Sequence, residues 1–458
     1  MPALIIGDID TGLNYATNAQ VWINQGEIPK SLPIKDVDGD LVITFKDLNA
    51  PFNAAYVRDA NGNGVIDGKD LLLDPRWANG ADEDRNGYVD DLVGWNFVRN
   101  SNDATDEVGH GSWVAGMIAS TGGPSAYIVP IQIIGIFPTN AWSQALDYFT
   151  ALSTAARARG GAERFVATSN SYTGNVPDWS KEMTALSNAA KAGAMFIAAA
   201  GNDPSVDNDM APRYPAGLSS YKTASIDIVT SVTTVDGSGA LAGDYGRYSV
   251  DMAISGGTTS AAVGYAAGYV AAYALKWPTA TAQQIKATLL ASAVPGGALA
   301  GKSISGGTLD AAAFLNRAPV GPAGTGETLV GTTGGDTLVG TLADDMLVGH
   351  PDDYTSRPSR SEIDKLTGGA GNDLFVIGNA GGAFYASGGG SDYASIEDFS
   401  SGDRIALNGA FADYELRDTS SKGASGVGVY RKSDGELVAL IKGKSSGQMS
   451  SADFVGTK

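Results

Sequence analysis

The sequence predicts an α/β fold, a parallel sheet with helices on both faces, followed by an all-β region built as a parallel β-roll. Three observations predict it. Short apolar runs alternate with helical stretches from residue 4 to about residue 315. Such alternation requires right-handed crossovers and a sheet covered on both sides. A Pro- and Gly-containing stretch, Ala318 to Gly324, then reads as a linker. Beyond it the composition changes to a nine-residue, glycine-rich repeat. The expected organisation is a domain over 1–316, a linker over 317–324 and a second domain over 325–458.

Leu4 to Ile9 is apolar at every position and reads as a buried parallel strand. Residues 30–95 are polar and rich in Asp, Asn and Gly, and 30–75 stand out as an insertion. Ile128 to Ile136 reads as a strand. Trp142 to Ala158 reads as an amphipathic helix with Trp142, Ala145, Leu146, Phe149 and Leu152 on one stripe. Phe165 to Ser169 is expected as strand, Lys181 to Ala192 as helix and Met195 to Ala200 as strand. Thr281 with Gln284 makes a capping box that opens a helix to about Ser292.

The 458 residues suffice for two or three domains with a large core. A formal charge of −19 argues against nucleic acid as partner, because phosphate binding needs clustered Lys and Arg. It fits a chain that carries cations in carboxylate sites. The absence of cysteine excludes disulfides, Cys-ligated zinc and a thiol nucleophile. The first residues lack the pattern of a signal peptide. The longest apolar stretch, Ala261 to Leu275, is too short to span a bilayer, so no membrane anchor is expected.

Four short segments carry the chemistry. Asp10-Thr11-Gly12 ends the first apolar run. His110, one of two histidines, opens His110-Gly111-Ser112-Trp113-Val114-Ala115-Gly116. Ala200-Gly201-Asn202 and Thr258-Thr259-Ser260-Ala261-Ala262 follow. An Asp, a His and a Ser supply an orienting carboxylate, a base with suitable pKa and a nucleophile that needs that base. In order and in context these segments resemble the signatures of the subtilisin-like serine peptidases, the subtilases, over about 1–316. The resemblance implies a subtilisin-like fold and an endopeptidase acting on proteins or peptides. It implies Ser260 as nucleophile, His110 as general base, Asp10 as its orienting partner and Asn202 as oxyanion donor. It also implies that Ser171, Tyr172 and Gly174 edge the substrate cleft. Two departures stand out: Thr258 replaces the family's Gly, and its Pro is absent at Val263-Gly264. A second register starts at Gly257 and puts Thr259 in the serine slot. A serine at a helix start is also an ordinary N-cap.

Between Asp10 and His110 lies an acidic stretch. Asp59, Asn61, Asn63, Asp67 and Asp70 occupy positions 1, 3, 5, 9 and 12 of a loop with Gly64 at position 6. This is the EF-hand calcium pattern with Asp in place of the last Glu. Asp36, Asp38, Asp40 and Asp47 repeat the spacing without the glycine. The pair resembles a dockerin-like double loop; a solvated acidic loop is the plain alternative. Asp82 to Asp91 resembles a further Asp/Asn-Gly segment of bacterial subtilases that binds calcium or forms a turn.

In the C-terminal region Gly331 to Val339, Gly340 to Val348 and Gly368 to Val376 repeat in register, with Asp336, Asp345 and Asp373 in one slot. They match the calcium-binding nonapeptide of RTX proteins. Pro351 to Lys365 is expected as an interruption. The resemblance implies calcium (Ca2+) as cofactor and an extracellular protein exported without an N-terminal signal through a type I secretion apparatus. Two other functions stay open: a catalytically degenerate subtilase-fold binding or surface protein, and a calcium-dependent adhesin.

Overall fold

The computed structural model describes residues 3–17, 20–134, 141–174, 179–220, 227–320, 328–332, 334–340, 344–350, 362–369, 372–379, 381–386, 389–400 and 402–457. The chain divides into two compact units, one built mainly from residues up to 321 and one mainly from 322–458.

The first unit holds nine sheet strands: β1 Ala3–Asp10, β2 Trp95–Asn96, β3 Ala126–Gln132, β4 Glu163–Asn170, β5 Met195–Ala199, β6 Val229–Val235, β7 Met252–Ser255, β8 Ala293–Pro295 and β9 Gly307–Leu309. Their order is β2-β3-β1-β4-β5-β6-β7-β9-β8. All pairings are parallel except the edge hairpin β8–β9. That antiparallel edge is absent from the sequence expectation; its strands are too short to show a pattern.

Among the described residues eight α-helices accompany the sheet: α1 Phe45–Leu48, α2 Gly68–Leu73, α3 His110–Gly122, α4 Ala141–Arg159, α5 Trp179–Lys191, α6 Thr259–Lys276, α7 Ala282–Ala291 and α8 Ala311–Asn316. Alternation along β1 divides the two layers. Ala3, Ile5 and Ile9 join a core with Phe149 of α4, and a side chain at Gly7 would meet Phe149 at 2.7 Å. Asp8 and Asp10 therefore face the opposite layer, where α3 and α6 lie. Thr281 caps α7 through the expected box with Gln284. No helix among the described residues is long and apolar enough to cross a membrane.

The strand expected over Ile128–Ile136 ends at Gln132. Ile133 and Ile134 instead turn inward, their amides donating to Asp10 O; residues 135–136 lie outside the described residues.

The second unit passes alternately between two mainly parallel sheets. One carries Thr328–Val330, Met346–Val348, Leu374–Val376, Arg404–Asn408 and Phe454–Thr457. The other carries Thr337–Val339, Ile363–Thr367, Tyr393–Ile396 and Leu437–Lys442, with an antiparallel hairpin Tyr414–Ser421 and Ala424–Arg431 at its edge. Strand Ile363–Thr367 corrects the interruption, which was expected to run to Lys365. Leu366 packs inward, so strand pairing begins before the polar stretch ends. Residues 351–361 and the linker residues 321–324 lie outside the described residues.

Candidate active site

Asp10 is the last residue of β1 and is fully buried. Its Oδ1 accepts from the Thr11 amide at 2.7 Å and stands 2.7 Å from His110 Nδ1. The glycines of both motifs are required by close approach. A Cβ at Gly12, where φ is +106°, would lie 2.3 Å from Ala104 O, and one at Gly111 would lie 2.3 Å from Gly12 O. Thr11 ties the segments further: its hydroxyl accepts from Gly111 N at 2.8 Å and donates to Asp106 Oδ1 at 2.9 Å.

His110 opens α3, half-buried beside Trp113. The hydrogen bond to Asp10 holds its pKa above the ordinary histidine value, against burial acting the other way. That suits a base whose cation must be stabilised.

The helix crossing sets where α6 begins relative to His110. Side chains at Gly264 and Gly268 would collide with α3. The first would lie 3.0 Å from Val114 O and the second 2.4 Å from Ile118 O. Thr121 Oγ1 also donates to Tyr265 O at 3.0 Å. Gly264 thus packs against Val114 and Met117, and Gly268 against Ile118 and Thr121, and the two packed helices begin at His110 and Thr259.

Thr258, not Ser260, is the helix N-cap; its extended backbone needs no glycine, and its hydroxyl accepts from Ala261 N. Thr259 is committed to Asn202, donating to its Oδ1 from N at 2.8 Å and from Oγ1 at 3.0 Å. A backbone N–H can only donate, so this bond fixes the amide orientation and leaves Asn202 Nδ2 outermost. Asn202 is exposed, and its Nδ2 has no partner among the described residues. Thr258 O takes Ala262 N, so the Ser260 amide is the first-turn donor left without a partner among those residues.

Ser260 Oγ donates to Ser171 O at 3.3 Å, and Ser171 Oγ donates back to Ser260 O at 3.2 Å. No hydrogen bond joins Ser260 or Thr259 to His110 in this conformation among the described residues. Tyr172 is half-buried with its hydroxyl on Asn170 Oδ1 at 3.1 Å. Gly174 bridges Tyr214, its amide donating to Tyr214 O at 2.6 Å.

Two residues of the site escape sequence reading. Asp106 accepts from Val108 N, Gly109 N, Ser112 N and Ser112 Oγ, at 2.7–2.9 Å, and so fastens the start of α3. Its signal was an Asp just ahead of a Gly-His helix start. Asp244 fastens the Asn202 loop, accepting from Asp203 N at 2.7 Å and Arg213 Nε at 3.0 Å. Nothing local in the sequence links it to Asn202.

The acidic loops fold as turns around their own carboxylates. Asp59 accepts from Gly62, Asn63 and Gly64 amides, Asp70 from Ala60 and Asn61, and Asn61 and Asn63 reach Asp67. Gly64 has φ +91°; Leu41, at the same place in the first loop, takes φ +73° despite its side chain. In that first loop the carboxylates of Asp36, Asp38 and Asp40 converge within 4.8 Å, while Asp47, the third residue of α1, accepts from Val37 N at 2.9 Å and from the N-cap amide of Thr44 at 2.8 Å. A deeper group was only half seen in the sequence. Glu27, Asp84 and Asp91 converge within 4.8 Å, as do Glu27, Glu83 and Asp90. Glu27 Oε2 and Glu83 Oε2 are buried without hydrogen-bond partners among the described residues. Burial pushes Glu27 and Asp91 each up to about 8. Oxygen-only donors with unmatched negative charge fit a hard cation such as calcium. In the second unit Asp336 N, Asp345 N and Asp373 N donate to Asp364, Asp373 and Asp403 Oδ1 at 2.7–2.9 Å, so the repeat aspartates form rungs between successive coils.

The profile of the subtilase family (Peptidase S8) matches residues 3–318. Over 61 residues the chain is 39% identical to subtilisin-like protease 1 of Plasmodium berghei, covering 13% of this chain and 9% of that protein. Over 53 residues it is 46% identical to that of Plasmodium vivax, covering 12% and 8%. The match thus spans under a tenth of these curated relatives. Among solved structures, a cold-adapted subtilisin-like serine proteinase aligns with TM-score 0.37 and 21% identity, over 47% of this chain and 78% of that one. A lanthipeptide protease aligns with TM-score 0.42 and 16% identity, over 68% and 86%.

Proposed function

Since the chain belongs to the subtilase family, we propose that it is a serine endopeptidase working through an acyl-enzyme. The observation that carries this is the 2.7 Å Asp10–His110 bond, with Ser260 in the first turn of α6, the helix that packs on α3. Ser260 Oγ leaves Ser171 O, passes its proton to His110 Nε2 and bonds to the scissile carbonyl carbon. The carbonyl oxygen becomes an oxyanion, received by Asn202 Nδ2 and the Ser260 amide. His110 then protonates the leaving amine, and the C–N bond breaks. Water, deprotonated by His110, hydrolyses the ester and frees Ser260. An extended substrate strand lies along Ser171, Tyr172 and Gly174.

Calcium is the proposed cofactor. Asp36, Asp38, Asp40 and Asp47, then Asp59, Asn61, Asn63, Asp67 and Asp70, and the Glu27 group would hold it in the first unit, and Asp336, Asp345 and Asp373 in the second. It supplies charge neutralisation that orders acidic loops. The proposed location is extracellular, reached through a type I apparatus, where calcium near millimolar fills weak sites.

Casein hydrolysis by the parent, Ser260→Ala and Thr259→Ala, each with and without chelator, tests the reading. Activity in the parent that survives Thr259→Ala in part and vanishes in Ser260→Ala supports it; parent protein inert with calcium overturns it. A second reading, a fold that binds without catalysing, draws on the Ser260 hydroxyl facing Ser171 rather than His110. Failure of a fluorophosphonate probe to label Ser260 in calcium-loaded protein would favour it.

A further inference from the structure

Asp8 lies two residues before Asp10 on β1, and the strand's alternation turns both toward the layer of α3 and α6. Their Cα atoms are about 6.6 Å apart by strand rise. Asp8 is buried to 1% exposure, and neither of its carboxyl oxygens makes a well-formed hydrogen bond among the described residues. Two other polar atoms beside it are in the same condition. Asp10 uses Oδ1 for Thr11 and His110, while its buried Oδ2 is left without a donor. Ser169, opposite Asp8 on β4, has a buried hydroxyl with no well-formed partner among the described residues, yet it lies close enough to Asp8 to pull that carboxyl's pKa down against burial. Buried polar atoms in native proteins are nearly always satisfied, so three such residues in contact-range positions call for one explanation.

The charges acting on Asp8 narrow the choice. From its own strand comes Asp10 and from the loop before α3 comes Asp106, both negative. The residues opposite it in register, Pro130 on β3 and Ser169 on β4, carry no charge. On α3 the ionisable group is His110, beyond Asp10; α6 presents tyrosines and, at its far end, Lys276. Among the described residues no cation is among the charges acting on Asp8. Burial, followed by the Asp10 charge, accordingly drives its pKa well above the usual carboxylate value. A neutral carboxylic acid is a donor as well as an acceptor. One proton on Asp8 completes a chain in which every orphan is used.

We propose that Asp8 is a positioning residue of the Asp10–His110 couple, a neutral carboxylic acid that donates to Asp10 Oδ2, directly or through one water, and accepts from the Ser169 hydroxyl. It holds the carboxylate of Asp10 from the side that His110 leaves free and limits how strongly that carboxylate favours the imidazolium. The inference rests on the Asp10–His110 couple of the proposed mechanism, but its test does not require peptidase activity.

The test is an NMR titration of His110 in full-length parent, Asp8→Asn and Asp8→Val; with two histidines in the chain, the ring signals are separable. Asp8→Asn preserves a neutral donor and should leave the His110 midpoint within about 0.3 pH units. Asp8→Val removes the donor, concentrates charge on Asp10 Oδ2 and should raise that midpoint by roughly half a unit or more. Infrared difference spectra should show a protonated carboxyl C=O band at neutral pH in the parent that is missing in Asp8→Asn. A midpoint that falls in Asp8→Asn would mean a negative charge had been removed, and would overturn the proposal. So would absence of the carboxyl band, or an unmoved midpoint in folded Asp8→Val. If Asp8→Val does not fold, Ser169→Ala takes its place, with a smaller rise expected and no change counting against the chain. An inert parent with all these signatures intact would reject the peptidase and leave the Asp8 assignment standing.

Discussion

His110 Nδ1 and Asp10 Oδ1, 100 residues apart in the chain, stand 2.7 Å from one another at the junction of β1 and α3. The bond holds the imidazolium, and His110 has its pKa raised with this bond as the largest cause. The sign follows: His110 stays protonated, and unable to act as base, to a higher pH than a free histidine. The acid limb of kcat/KM is expected above the ordinary value of about 6.5. Asp10→Asn should lower kcat by about 10⁴-fold near neutral pH and shift the His110 midpoint downward. Peptidase assays across pH check both. Full activity in Asp10→Asn would remove Asp10 from the mechanism.

The α3–α6 crossing predicts a separable effect. Val at position 268 would force the helices apart, because a Cβ there already lies 2.4 Å from Ile118 O. Overpacking of this kind costs about 1–3 kcal/mol, read as a lower melting temperature. Gly264→Ala, one turn from Ser260 and Val114, is milder for stability but lies nearer the reacting pair. It should lower kcat with KM little changed, because the spacing of His110 and Ser260 shifts while the cleft edge stays. Equal losses in kcat and stability at both positions would mean the crossing serves folding alone.

Asn202 makes its own prediction. Its Oδ1 is held by Thr259 and its Nδ2 points outward. Asn202→Ala should cost about 10²–10³-fold in kcat with little change in KM, the mark of a donor used in the transition state. Thr259→Val keeps the backbone bond and loses the hydroxyl bond, so its loss should be roughly tenfold or less. A larger loss in Thr259→Val than in Asn202→Ala would reopen the alternative register.

These predictions separate what the sequence could reveal from what it could not. The meeting of Asp10 and His110 was legible because each sits in a glycine-containing context forced by close backbone approach, as Gly12 and Gly111 show. The bond of Thr259 to Asn202, which engages the rival hydroxyl, was not legible, because it joins residues 57 apart in the chain. Strand β1 could be read from its apolar run. Its two buried aspartates looked alike in sequence, and only packing separates Asp10, bonded to His110, from Asp8, which makes no well-formed hydrogen bond among the described residues. Asp244 was invisible because its partners lie 31 and 41 residues away. The nonapeptide slots were visible as a pattern, whereas the pairing of Asp336 with Asp364 crosses an irregular insertion that breaks the period.

The Glu27 group predicts how the protein responds to calcium. Glu27 Oε1 accepts from Asp84 N at 2.9 Å, while Oε2 is buried among converging carboxylates with no hydrogen-bond partner among the described residues. Without an ion, burial pushes the Glu27 carboxyl up to about 8, so at neutral pH it is held mostly as the acid. Glu27→Gln is then a near-isosteric, equally neutral replacement in chelated protein. Its melting temperature in chelator should stay within a few degrees of the parent's. With calcium present the two should part. An ion at about 100 times its Kd stabilises the parent by about 2.7 kcal/mol, and the variant should lose most of that increment at this site because it no longer offers a charged oxygen. Thermal unfolding of both proteins in chelator and in excess calcium measures the difference. A loss of stability in Glu27→Gln that is the same with and without calcium would make this a structural carboxylate cluster and not an ion site.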